Sequence, residues 1–210
     1  MENIVVKHHE IQNKLPEGFS YTHPKLSIAP NKHFETPIKI TIADDNNEVL
    51  EIIVGQNSQI KIILEISSKD QNVNTYKLGL IAEANSQVKY LLVSELKSNK
   101  ALLEHYFTAK KDAKLDLIGG FVSNVLDAKM HVDLIEPGAE VKMRAVAVSS
   151  DHHRQNIDVL IVHKAPYTFG DMTNIGIANK FGKITLNGVE KIEKGMKQAN
   201  AFQTLKGIIT

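Results

Sequence analysis

The sequence predicts an all-β domain wound as a right-handed parallel β-helix. Three observations predict it. One pattern returns every 26–28 residues, its apolar residues alternate strictly with polar ones, and a residue suited to a tight turn stands just before it. The first copy opens at Ser58 and continues with Ile60, Ile62 and Leu64. The second opens at Ser86 with Val88, Tyr90 and Leu92, the third at Ala113 with Leu115, Leu117 and Gly119, and the fourth at Ala139 with Val141, Met143 and Ala145. A fifth, Gly182 with Ile184, Leu186 and Gly188, stands 43 residues beyond the fourth, so an extra half-unit intervenes. Polar residues fill the alternate positions, from Gln59 and Lys61 to Lys183 and Thr185, which is the period of two of a strand with one buried face. Asn57, Asn85, Asp112 and Gly138 precede the first four openings, and these types tolerate positive φ or bond their own backbone in a turn. Phe181 breaks that rule before the fifth.

A second strand-like run lies between openings: Tyr76-Lys77-Leu78-Gly79-Leu80-Ile81, His105-Tyr106-Phe107-Thr108, Met130-His131-Val132-Asp133-Leu134, and residues 157–163. A unit is therefore strand, polar turn, strand, tight turn. A hairpin meander and a parallel coil both fit that order. The coil is favoured because the pattern returns in one phase, so matching residues stack into ladders with strands about 4.8 Å apart. Small residues at the corner leave room for stacking. Three or four apolar side chains per strand, at ~1.5–3 kcal/mol each when buried, make neighbouring units depend on one another. Helical spacing is confined to residues 188–205, which read equally as strand and loop. Residues 1–25 are read as an N-terminal arm and leading segment, and 26–210 as the coil.

Composition narrows the function. Aromatic residues are 6% of the chain, with no Trp, so the core is aliphatic. A net charge of +1 opposes a broad footprint for nucleic acid or an anionic membrane, although Lys191, Lys194 and Lys197 cluster locally. With no Cys there is no disulfide, no thiolate catalysis and no cluster held by this chain's own thiolates. The charged N-terminus does not read as a signal peptide, and no segment approaches 18 apolar residues. A cytoplasmic protein that engages neither nucleic acid nor membrane is expected.

Several segments resemble the β-helix core of the SufB/SufD family of iron–sulfur cluster assembly proteins. Residues 26–38, with Ile28-Ala29-Pro30 and Pro37-Ile38, are similar to the family's opening segment. Val162-His163-Lys164-Ala165-Pro166-Tyr167-Thr168 resembles its His-x-x-Pro-x-Thr corner. Gly182-Lys183-Ile184 through Gly188, and residues 195–204 with Ala201 and Gln203, resemble its closing segments. The resemblance runs from about Leu26 to the C-terminus. It marks His163, Pro166, Thr168, Gly182, Gly188, Ala201 and Gln203 as motif positions, read as structural. Gly170 stands where a Ser is common, and Glu136 where a Gly is common. The resemblance carries over neither the cluster-nucleating Cys of the SufB branch nor the late His of the SufD branch. It implies a short SufD-like core acting as a non-catalytic scaffold, with the iron–sulfur cluster as the pathway's cofactor rather than a group bound here. The implied partners are a second copy or a SufB-like subunit, joined through the C-terminal edge of the coil near residues 184–209. An ABC-type ATPase subunit is a further implied partner, although the flank that docks it would follow Thr210.

His152-His153, with His163 ten residues on, are the histidines to test for metal. Adjacent residues of an extended chain point to opposite sides, and Arg154 opposes a cation, so a solvated loop is preferred. His8-His9 read as a frayed terminus rather than a ligand pair. His163 is read as a structural histidine bonding the backbone of the Pro166 turn. Asp44-Asp45-Asn46-Asn47-Glu48 is acidic enough for calcium but lacks the spacing of an EF-hand loop. It is read as the tip of a hairpin joining residues 38–42 to 49–54. Gly79 and Gly119-Gly120 suit close backbone packing. No catalytic, cofactor-binding or metal-ligating residue is assigned. The rival class, a carbohydrate-active β-helix enzyme, needs clustered carboxylates, whereas Asp116 and Glu140 fall on different units. A plain interaction module without a cluster role is the third reading.

Overall fold

The computed structural model describes residues 2–43, 47–69 and 72–210. Among them every regular element is a strand: β1 (Glu2–Lys7), β2 (Glu10–Ile11), β3 (Phe19–Thr22), β4 (Lys25–Ile28), β5 (Ile38–Ala43), β6 (Asn47–Val54), β7 (Gln59–Ser68), β8 (Val73–Ala82), β9 (Gln87–Leu96), β10 (Lys100–Ala109), β11 (Lys114–Phe121), β12 (Val125–Leu134), β13 (Glu140–Ser149), β14 (Arg154–His163), β15 (Phe169–Ala178), β16 (Lys183–Ile192) and β17 (Asn200–Ile209). From β5 onward consecutive strands alternate between two sheets. One runs β17-β15-β13-β11-β9-β7-β5-β1-β2 and the other β16-β14-β12-β10-β8-β6-β4-β3. The chain is a parallel β-helix. Among the described residues antiparallel pairing is confined to the short hairpins β1–β2 and β3–β4 at the N-terminal end.

The repeat becomes a set of ladders up the coil. Ile60, Val88, Leu115, Val141, Gly170 and Ala201 are successive register partners, and Ile62, Tyr90, Leu117, Met143, Met172 and Gln203 form the next row. The inner rows of both sheets make one continuous core. Ser58, Ser86, Ala113 and Ala139, the small openings of the repeat, are buried at the corners. Asn57, Asn85, Asp112 and Gly138 all have positive φ, as the turn chemistry requires. Their backbones also stack: the N–H groups of Asn57, Asn85 and Asp112 donate to Ala84, Lys111 and Pro137 carbonyls one turn on. Asn85 Nδ2 donates to Asn57 Oδ1 and Asn57 Nδ2 to Asn31 Oδ1, at 3.2 and 3.0 Å, so a side-chain ladder runs alongside.

Four readings from the sequence are refined or overturned. The extra half-unit before Gly182 is real: Thr168 opens the missing strand β15, and Gly182 opens β16 in the opposite sheet. Residues 188–205 are not helical but divide between β16 and β17. The strands flanking the acidic run are not a hairpin, because β5 pairs with β1 and β7 while β6 pairs with β4 and β8. Asp44, Asp45 and Asn46 lie outside the described residues, whereas Glu48 belongs to β6 and is buried. Finally, Gly119 makes room for side chains rather than backbone. A Cβ there would fall 2.9 Å from the Phe121 ring and 3.2 Å from Met130 Sδ, and one at Gly79 would meet the Glu51 side chain at 3.3 Å.

Candidate functional site at the C-terminal end

β16 and β17 are the last strands of their sheets, so among the described residues each is hydrogen-bonded along one edge only, β16 to β14 and β17 to β15. Both are ten residues long, hold unbroken register and contain no Pro, features that leave a flat edge able to accept another strand. The row that continues the interior is uncovered here. Ile184 and Leu186 of β16 are only partly buried against the core, and in β17 Leu205 is 43% and Ile209 91% exposed. Phe202, which projects from the other face of β17 toward Phe169, is also exposed.

Beneath that edge the packing alternates small against large. A Cβ at Gly176 would meet Ile184 and Leu186 at 3.0 and 3.2 Å. One at Gly188 would meet Met172 Sδ at 2.8 Å and Asn174 Nδ2 at 3.0 Å. Gln203 Nε2 donates to Gly188 O at 2.9 Å, tying the two terminal strands together across the interior. Gly182 sits where a Cβ would lie 2.4 Å from Ser149 O, so this corner admits no side chain. Ala201 is the register partner of Gly170 and is exposed at the rim.

One layer deeper lies a polar cluster. His163 is fully buried at the end of β14, and its Nδ1 lies 2.8 Å from Thr168 Oγ1. Thr168 Oγ1 in turn donates to Ala165 O at 3.1 Å, so the hydroxyl accepts from a protonated Nδ1. The ring thus braces the Pro166 turn through the Thr168 side chain, not through the turn backbone as the sequence suggested. Tyr167, between Pro166 and Thr168, carries the positive φ that closes this corner. His163 Nε2 then points at Glu190 Oε2, 3.9 Å away, and neither that nitrogen nor either Glu190 oxygen has a hydrogen-bond partner among the described residues. A Cβ at Gly170 would fall 2.8 Å from Nε2 and 3.1 Å from Oε2, so the pair fits only because position 170 is Gly. Nothing in the repeat marks Glu190, an acidic residue on the inward row of β16; its strand parity with Ile184, Leu186 and Gly188 is the signal that would have found it.

The remaining candidates separate. His152 and His153 lie in the turn before β14 and His163 at the strand's far end, so these three do not converge. His152 instead stacks on Phe181 with ring centroids 5.1 Å apart. Glu136 accepts a hydrogen bond from the Lys111 backbone N–H at 3.0 Å. Asp116 pairs with Arg144 and Glu140 with Lys114, so each of the two carboxylates weighed for sugar chemistry is neutralised by a cation on the neighbouring turn. His105, unmarked in the sequence reading, is buried on the inward face of β10, stacked on Phe107 at 4.0 Å and edge-on to Tyr90 at 5.2 Å. Among the described residues no helix is long and apolar enough to cross a membrane.

A profile of the family described as "SUF system FeS cluster assembly, SufBD core domain" matches residues 41–210, which take in every strand from β6 to β17. No curated protein matches the chain at a significant level. The match spans most of the chain, and on that ground the chain belongs to the SufBD core family of iron–sulfur cluster assembly proteins.

Proposed function

We propose that this protein is a SufD-like scaffold subunit without catalytic chemistry of its own, and that it works by joining another coil through β16 and β17. The carrying observation is the pair of strands β16 and β17: among the described residues each of these ten-residue strands has one edge without a strand partner, over an interior row whose Leu205 and Ile209 stand exposed. Continuing the ladders would satisfy those N–H and C=O groups and bury that row at ~25 cal/mol per Å² of apolar surface. A second copy or a SufB-like subunit offers a matching edge. Two copies related by a two-fold axis would meet with their edge strands antiparallel. The cluster is the pathway's cargo in this reading, and the ATPase subunit of the machinery would be reached through the partner or through sequence outside this core.

Size-exclusion chromatography with light scattering tests the reading directly. At micromolar concentration the protein is expected to run as a dimer, or as a heterodimer once a SufB-like subunit is added. Leu205→Asp with Ile209→Asp places charge on the row to be buried and is expected to return it to monomer. A monomer under both conditions would overturn the proposal.

A further inference from the structure

At the opposite end of the coil, the two N-terminal hairpins bring three side chains together that the sequence holds far apart. His9 sits in the turn between β1 and β2, and His23 in the turn between β3 and β4. Both lie over Glu48, which occupies the inward row of β6 with Leu50, Ile52 and Val54. A carboxylate in that row is an anomaly, because an ionised group buried among aliphatic side chains is costly unless it is paired. The side chain of Glu48 is 0% exposed, and His9 reaches it twice, with Nδ1 2.7 Å from Oε1 and the backbone N–H donating to Oε2 at 3.1 Å. The Val49 N–H adds a third contact at 3.0 Å. The His23 ring lies 4.7 Å from the His9 ring, and the Tyr21 hydroxyl joins the two hairpins by donating to His9 O at 2.8 Å. Tyr21 also lies 3.2 Å from His23 Nδ1 and so holds that ring beside the pair.

One nitrogen of each imidazole and one oxygen of Glu48 lie within 4.8 Å of one another, and among the described residues these three form the one such group of metal-ligating side chains. We propose that His9, His23 and Glu48 are a binding site for a divalent first-row transition metal ion of the zinc or ferrous class. Two imidazoles and a carboxylate are the donor set such ions take with one or more positions left open. Ligands of a tetrahedral ion at about 2.0–2.2 Å stand roughly 3.4 Å apart, so closing the set needs only small rotations of side chains at hairpin tips. Calcium and magnesium, which take oxygen donors, do not fit it. The hydrogen bond from the His9 N–H to Glu48 orients the carboxylate, in the manner of the outer contacts that hold metal ligands in place. The ion would pin both N-terminal hairpins to the first turn of the coil.

Tag-free full chain titrated with Zn²⁺ by calorimetry, and with Co²⁺ by visible absorption, tests the site. One equivalent is expected to bind at micromolar dissociation constant or tighter, with Mg²⁺ giving no heat. His23→Ala and His23→Gln, changes at an exposed turn, are each expected to weaken binding at least tenfold, and Glu48→Gln likewise. The double change His152→Ala with His153→Ala is expected to leave it intact. Absence of stoichiometric Zn²⁺ binding would overturn the proposal, as would binding unmoved by both His23 variants or abolished by the His152/His153 pair. Circular dichroism of each variant without metal shows whether it is folded, and an unfolded Glu48→Gln leaves the two His23 variants to decide.

Discussion

His105 carries the acid sensitivity of the interior. Burial pushes its ring from the ordinary value of 6.5 down to about 3, so it stays neutral inside the coil and takes up a proton only when the chain unfolds. Its contribution to stability is therefore fully present above about pH 6.5 and is lost as pH falls toward 3, to the extent of roughly 4 kcal/mol. Among the described residues neither ring nitrogen of His105 nor the hydroxyl of the adjacent Tyr90 has a hydrogen-bond partner, and the rings pack edge-on and stacked against one another. His105→Phe keeps a ring beside Phe107 and Tyr90 while removing the titrating group. Its acid-unfolding midpoint, followed by circular dichroism, is expected at lower pH than that of the unchanged protein, with a flatter stability profile between pH 6.5 and 3. An unchanged midpoint would show that His105 does not govern it. The sequence shows His105 plainly within a strand-like run but gives no sign of how deeply its ring is buried or what faces it, because that depends on the facing sheet.

At the scale of the element, each strand is held by its place on the ladder more than by its own composition. Strands β7, β9, β11 and β13 were legible because their inward rows begin with aliphatics: Ile60 and Ile62, Val88 and Tyr90, Leu115 and Leu117, Val141 and Met143. β15 was not, because its inward row is Gly170, Met172, Asn174 and Gly176, shaped to fit His163, Glu190, Ile184 and Leu186 across the interior. Alternation of apolar and polar types vanishes where packing asks for small and polar side chains instead. The same contacts grade the glycines of the last turns. Gly182→Ala drives a Cβ against the Ser149 carbonyl and is expected to cost about 1–3 kcal/mol in urea unfolding. Gly207→Ala meets nothing within 4 Å and is expected to be neutral or slightly stabilising. Equal effects of the two would contradict the packing described for the corner.

For the whole molecule, the two ends of the coil are built differently. The N-terminal end is closed by the hairpins β1–β2 and β3–β4, while at the other end β16 and β17 each have, among the described residues, one edge without a strand partner. The sequence disclosed the coil. It did not disclose the N-terminal closure, since β2 is two residues long and β3 four, too short for any period to register. The ion pairs that link successive turns on the outside, such as Lys39 with Glu65 and Lys110 with Glu83, are half-exposed and contribute little each, about 0–1 kcal/mol. Cohesion therefore rests on the buried ladders, and in the proposed assembly the exposed interior row at β16 and β17 is where another coil would extend them.

Amide hydrogen exchange read peptide by peptide across residues 183–209, at concentrations above and below assembly, addresses that extension most directly. Exchange in β16 and β17 should slow markedly on assembly, and should stay fast at every concentration in the Leu205→Asp, Ile209→Asp variant, while β7 to β13 are unaffected. Equal, concentration-independent exchange in β16 and β17 of the unchanged protein, or slowing confined to the N-terminal hairpins, would contradict an edge built for joining.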